Sequence, residues 1–254
     1  MLLLAAPVRL PGEPPTPADP AWPAGSVGPQ IRGDLGRVFS RPYRLRGREW
    51  RLPAALAGGA GLLYALRKDL REEIQEHRSP GRDRFLQSAR VTGKGAFVPA
   101  LAGILAAVGA RRDSARDRQT SLLLIESYAA SAIYAAAGST LLAAERPQEG
   151  DSVRFGDTGG HGVSLDVSLS ASMIAPLDRA YFRPRPGESP ARRFVRRAGR
   201  GLLYLAPALV AWQRLNQDEH WAPDVYLGYA NGLLVGRTLA GGYEPAPPPP
   251  ATHR

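Results

Sequence analysis

The chain of 254 residues contains no cysteine. That excludes a disulfide framework, cysteine-ligated zinc, iron–sulfur clusters and a thiol nucleophile, and it leaves the compartment open. Lysine is nearly absent too: Lys68 and Lys94 are the only two, so almost all of the 33 basic side chains are arginine. Histidine occurs four times, as His77, His161, His220 and His253, and any imidazole chemistry must use those. Long apolar runs are scarce. A membrane span needs about 20 apolar residues, and only residues 121–144 reach that length, with Glu126 inside the run. The alternating β-branched pattern of half-buried strands is missing throughout.

What is present is an ordinary globular balance, 44% hydrophobic and 22% charged, which excludes wholesale disorder. The net charge is +10. A balance this basic points to a polyanionic partner: nucleic acid, an anionic membrane or a phosphorylated ligand. Aromatics interleaved with the arginines of 183–200 are limited to Phe194, so nucleic acid is the least expected of the three.

Alanine- and leucine-rich segments at 52–66, 97–110, 121–144, 162–177, 202–212 and 225–240 predict an all-α bundle of about six main helices, with a short charged helix at 70–77. Glycine and proline punctuate the joins at Gly81, Gly93, Pro147, Gly156, Pro186 and Pro223. Residues 1–50, rich in proline and glycine between Pro7 and Pro29, read as a segment without fixed structure. Residues 51–241 read as the helical domain and 242–254 as a proline-rich tail. Met1–Ala6 is apolar but too short for a signal-peptide core. In an up-down bundle the arginine-rich joins 41–51, 111–118 and 178–200 share one end. The neutral-to-acidic joins 145–160 and 215–223 share the other, with the mixed stretch 67–94 as the exception. That asymmetry follows the positive-inside rule. Membrane embedding or association and a soluble basic bundle both remain open.

The most informative stretch is Trp212–Gly228, WQRLNQDEHWAPDVYLG. Arg214, His220 and Asp224 are spaced so that a helix starting near His220 would put Asp224 one turn from it. A carboxylate behind an imidazole fixes its tautomer and frees the other nitrogen to act as nucleophile or base. Arg214 can fork two donors onto a phosphate. An ordinary helix-surface charge pair would show the same spacing. Two other segments stand out. Arg146-Pro147 ends the longest apolar run, and FGDTGGHG over 155–162 sets Gly160 and His161 at the head of another helix, where glycines admit an anion and a histidine can protonate a leaving oxygen.

The order Arg-Pro, then Gly-His at a helix start, then Arg-x5-His-x3-Asp resembles the type-2 phosphatidic acid phosphatase and vanadium haloperoxidase superfamily over about residues 50–240. The family pattern is Lys-x6-Arg-Pro, Pro-Ser-Gly-His and Ser-Arg-x5-His-x3-Asp. The resemblance implies an all-α fold and hydrolysis of phosphate monoesters or diphosphates, often of lipids, without a metal or other cofactor. His220 would form a phosphohistidine, Asp224 would orient it and His161 would protonate the leaving group. Arg146, Arg214 and Gly160 would hold the phosphate. It further implies a cell-envelope enzyme, membrane-embedded or membrane-associated, with its site on the non-cytoplasmic side; a soluble periplasmic enzyme is the alternative. The departures are Ser139 at the lysine position, Thr158-Gly159 for Pro-Ser, and Gln213 for the third-motif serine. The second motif has an alternative register, 163–166, which would put Asp166 in place of the histidine. A member weakened in catalysis and kept for binding phosphate or lipid is the competing expectation.

Overall fold

The structure is a computed structural model that describes residues 27–150, 152–153, 156, 160–183 and 187–243. It is all-α: among the described residues the only β pairing is an isolated bridge between Ala144 and Val153. Each expected main helix is present: α2 (Arg51–Ala65), α5 (Phe97–Arg111), α6 (Ala115–Leu142), the broken pair α7 (Leu165–Ser172) and α8 (Ile174–Leu177), α9 (Pro190–Asn216) and α10 (Ala222–Gly241). The short charged helix is α3 (Arg67–Glu76).

Two further helices change the outline. α4 (Pro80–Ala89) starts where the Ser79 hydroxyl accepts from the Arg82 amide and Pro80 takes the first helical position, a strong local start signal. α1 (Val27–Ser40) corrects the expectation that residues up to 50 lack fixed structure. Val38 is buried against Leu123, Ala130, Val235 and Leu239, with Leu35 and Phe39 packed alongside. The proline- and glycine-rich composition before it hid this apolar face. Residues 1–26 and 244–254 lie outside the described residues. Tyr243, assigned to the tail, closes the bundle instead: its hydroxyl donates to buried Asp34 of α1 at 2.5 Å.

α7 against α10 is the pairing that positions everything else. Gly228, Gly232 and Gly236 recur every four residues on α10, and each faces the carbonyl of Ser164, Ser168 or Ser172 in turn. A Cβ on Gly228 would sit 2.6 Å from the Ser164 oxygen, and one on Gly232 would collide with the Ser168 carbonyl. Small residues one turn apart let two backbones touch, which fixes helix register far more tightly than large side chains do. The Ser164 amide donates to the Asp224 carbonyl at 3.0 Å, so the first turns of α7 and α10 lie side by side.

The antiparallel course of α7–α8 and α9 separates two ends. Asp166 meets Arg214 at one. Asp178 meets Arg200 and Phe182 meets Gly199 at the other. The fourteen residues from Arg200 to Arg214 span about 21 Å of helix, so the arginine-rich join lies a bundle's length from His220. Arg116 stacks on Tyr181, and Arg179 donates to the Ala240 carbonyl, gathering the joins near 116 and 179 at that same far end.

Among the described residues, α6 is the one single helix long and apolar enough to cross a membrane by length and composition. α4 with its following turn and α5 pass together as a pair bent by 53°. The outward faces carry large apolar side chains: Leu52, Leu62 and Leu66 on or beside α2, Ile133 and Leu141 on α6, Phe194, Leu202 and Leu205 on α9. No residue of α2 is buried, although its sequence is apolar nearly throughout.

Candidate active site

α6 ends at Ala143, whose backbone turns into the left-handed region at φ +36. The chain leaves as an extended segment. The Glu145 amide donates to the Ser152 carbonyl at 3.0 Å, and the His161 amide to the Ala144 carbonyl at 2.9 Å, so Arg146 and His161 are carried on adjacent strands of chain. Gly160 sits against the Ala143 backbone, where a Cβ would collide with its Cα. Ser139, one turn before the helix end, grips the same connection twice: its hydroxyl donates to the Val163 carbonyl at 2.9 Å and accepts from the Val163 amide at 3.3 Å.

The second half of the site is the junction between α9 and α10. Arg71 of α3 clamps Asp218 through two hydrogen bonds of 2.7 and 2.6 Å, and Asn216 donates to Asp83 of α4 at 2.6 Å. Asp218 has φ +59, the reversal that ends α9. Trp221 then caps α10, with Asp224 in its first turn accepting from the Trp221 amide at 2.9 Å. The Trp221 indole N–H donates to the Glu145 carbonyl at 2.9 Å, tying the segment that bears Arg146 to the one that bears His220.

His220 and Asp224 do meet, with Nδ1 to Oδ2 at 3.5 Å and both side chains buried. The expected reason was a shared helix face. In fact His220 precedes the cap, and the chain folds across the first turn of α10 to bring the ring over the carboxylate. Nδ1 faces Asp224 at ion-pair distance without a hydrogen bond between them; this is the side of the ring a carboxylate holds when Nε2 acts.

A cavity of about 260 Å³ opens between the halves, walled in part by Ser139, Arg146, His161, Asp166, Arg214 and His220. The His161 and His220 rings stand edge to face, 6.3 Å between centroids. Arg214 is buried. Its Nη2 pairs with Glu219 and its Nη1 lies 3.4 Å from Asp166 Oδ2, yet neither Nε nor Nη1 has a hydrogen-bond acceptor; Arg146 Nε is also buried without one. A buried donor without an acceptor is costly, about 1–3 kcal/mol and more for a charged group. Orphaned guanidinium donors on a cavity wall mark a place for an anion. Burial holds His161 below its ordinary value of 6.5, and the charges of Arg146 and His220 push the same way. Burial likewise lowers Arg214, with Asp166 and Glu219 opposing and Arg90 and Arg146 reinforcing the shift.

Of the six expected site residues, His220, His161, Arg146 and Arg214 line the cavity and Asp224 backs His220. Gly160 does not reach the wall; its missing side chain serves the close approach to Ala143. Both residues of the register question face the cavity, His161 towards His220 and Asp166 towards Arg90, which donates to it at 2.9 and 3.3 Å. Gln213 points elsewhere, donating to Gln87 at 3.3 Å. Thr158 and Gly159 lie outside the described residues. Sequence reasoning missed Arg90, Glu219 and Trp221. Glu219 could have been suspected as a carboxylate five residues after Arg214; Arg90 and Trp221 had no local signal. Among the described residues one cluster, Glu73, Glu76 and His77, has metal-ligand spacing. It is exposed on α3 and contributes nothing to the cavity wall.

No family model matches the chain, and no curated protein sequence is similar to it. Solved structures are. The crystal structure of Aquifex aeolicus LpxE matches with a TM-score of 0.50 at 18% identity, covering 70% of this chain and 96% of that one. A transmembrane PAP2 type phosphatidylglycerolphosphate phosphatase from Bacillus subtilis matches with a TM-score of 0.55 at 16% identity, covering 75% and 94%. The helical bundle therefore has the fold of PAP2-type phosphatases.

Proposed function

We propose that the chain is a phosphohydrolase of the cell envelope that cleaves phosphate monoesters or diphosphates, lipid-linked ones in particular, through a phosphohistidine. One observation carries the reading: two histidines and two arginines from three separate stretches of chain converge on one cavity, where buried guanidinium donors have no protein acceptor. In the first step His220 Nε2 attacks phosphorus, Asp224 stabilises the charge growing on the ring through Nδ1, and the bond to the leaving oxygen breaks as His161 gives that oxygen its proton. In the second step His161 takes a proton from water, the hydroxide attacks phosphorus, and the N–P bond breaks to release phosphate. Arg146 and Arg214 stabilise the equatorial oxygens in both steps.

The apolar outward faces of α2, α6 and α9 support a membrane-associated enzyme working on a lipid substrate. The separation of the arginine-rich join from the cavity supports placing the site on the non-cytoplasmic side. The structural neighbours agree in part: one is a phosphatidylglycerolphosphate phosphatase.

Purified protein should release inorganic phosphate from a chromogenic phosphate ester and, faster, from a lipid phosphate in detergent micelles. Denatured during turnover, it should carry an acid-labile phosphoryl group that His220→Ala lacks. A second reading is favoured by Ser139 and Gln213, whose side chains are engaged with Val163 and Gln87: a member weakened in catalysis that binds phosphate or lipid. Each missing charge-assisted contact is worth about 1.5–3 kcal/mol, one to two decades in rate. Tight phosphate binding without turnover would select that reading.

A further inference from the structure

The family lysine is missing from α6, yet a third arginine reaches the site from another element. Arg90 opens the 3-10 turn Arg90–Gly93 between α4 and α5. That turn is built into the site's floor. Gly93 lies so close to α7 and α9 that a Cβ would be 2.7 Å from Val210 Cγ1 and 3.2 Å from the Asp166 carbonyl oxygen, and Thr92 shares a hydrogen bond of 2.9 Å with buried Ser170.

Two N–H groups of Arg90, Nη2 and Nε, converge on one atom, Asp166 Oδ2, at 2.9 and 3.3 Å. The same oxygen stands 3.4 Å from Arg214 Nη1 without a hydrogen bond between them. Asp166 is thus a carboxylate on the wall of an anion cavity, beside the arginine best placed to bind the anion. Released from Arg90, it is within a small side-chain rotation of Arg214, whose free donors it would then occupy. Glu219 already takes the opposite side of that guanidinium. With both carboxylates on it, Arg214 would have little left for a ligand.

We propose that Arg90 is a positioning residue for the anion site: by holding Asp166 it keeps Arg214 Nε and Nη1 open to substrate oxygens. It also adds a positive charge next to the cavity, in a site where Ser139 brings none. The inference rests on the phosphate-site reading above and adds a residue to it from a part of the chain with no recognisable motif.

The test is the affinity of the full chain for inorganic phosphate and for vanadate, measured by calorimetry on Arg90→Gln, Asp166→Asn, the double variant and Arg90→Lys, with thermal unfolding alongside. Arg90→Gln should weaken binding roughly ten- to a hundredfold, the loss of one charge-assisted hydrogen bond. Adding Asp166→Asn should recover most of that loss, because the competing carboxylate is gone. Asp166→Asn alone should bind at least as tightly as wild type, and Arg90→Lys should fall between wild type and Arg90→Gln. A structural brace would not be rescued by removing its own partner. Unchanged binding in Arg90→Gln, no recovery in the double variant, or a large loss in Asp166→Asn each overturns the proposal. If Arg90→Gln does not fold, Asp166→Asn and Arg90→Lys decide it by the same criteria. Arg214→Ala separates the two layers: if it leaves phosphate affinity untouched, the site reading falls, whereas if it weakens binding and Arg90→Gln does not, only the role of Arg90 falls.

Discussion

The two ends of the bundle are both rich in arginine and use it in opposite ways. At the end around residues 178–200, Arg200 pairs with Asp178 at 2.9 Å, Arg196 with Glu188 and the Tyr181 carbonyl, and Arg179 with the Ala240 carbonyl. Those guanidinium groups fasten α9 to the wide turn after α8, and that turn to the end of α10. At the cavity end, Arg214 is more deeply enclosed, and both it and Arg146 keep donors without acceptors. A charge that is buried and incompletely paired destabilises the fold; Arg116 Nε at the far end is such a donor too, so what separates a place for a ligand from a fastening is that the donors of Arg214 and Arg146 wall a cavity. Residue type does not distinguish the two ends; the cavity beside the unsatisfied donors does.

The largest test of that contrast is His220→Ala, which should abolish turnover while leaving unfolding temperature and phosphate affinity near wild type, because the ring makes the covalent bond and the arginines hold the anion. Surviving turnover would remove the cavity from the chemistry. Next comes Asp224→Asn. It should lower kcat by several decades through loss of the correct tautomer, and also cost about 1 kcal/mol of stability, since the same carboxylate caps α10. A drop in kcat without a change in unfolding temperature would show that the cap is dispensable.

Ser139→Lys sets a new cation against a lost clamp. The hydroxyl holds Val163 by both its amide and its carbonyl, so the variant should lose about 1–2 kcal/mol of stability and gain no phosphate affinity. Tighter binding by a stable variant would mean that the connection to α7 can give way to a lysine. The contrast also has a pH signature. His161 is held below 6.5 by burial and by the nearby Arg146 and His220, and as a general acid it must carry its proton. kcat/KM should therefore fall as pH rises through an apparent pKa lower than 6.5. His161→Asn should be slow and lack that limb. A limb that persists in the variant would assign the acid to another group. The smallest effect belongs to the far end: Arg200→Ala should cost up to about 1 kcal/mol of stability, the worth of a half-exposed ion pair, with kcat/KM unchanged. A loss of activity there would show that the two ends are coupled.

How much of this was legible in the sequence follows from how far apart the interacting residues lie. The main helices were legible because each is announced by its own alanine- and leucine-rich run, which α4 lacks. Arg214, His220 and Asp224 were legible because one short stretch holds all three, although the path that brings His220 over Asp224 goes around a helix cap and not along a helix face. Arg90 and Asp166 are 76 residues apart, as are Glu145 and Trp221, and no local pattern links either pair. The glycine stripe of α10 was visible as spacing, but its meaning required the facing serines of α7. α1 escaped because its apolar face is short and follows a linker-like stretch.

The clasp between Asp34 and Tyr243 joins helices whose contacting residues are 209 positions apart. A ribosome adding about 5–20 residues per second takes roughly 10–40 s to travel that distance. Throughout that interval α1 exists without α10, and its apolar face, Leu35, Val38 and Phe39, has only α6 to lie against. Asp34 has Arg37 as its neighbour and no tyrosine. α1, the first of the described helices, is therefore among the last to be seated, and until α10 emerges its apolar face is covered by α6 alone. An insertase or holdase that shields α1 would act before the cavity exists, since the third wall of the cavity, Arg214 and His220, is synthesised only about twenty to thirty residues before the clasp can close.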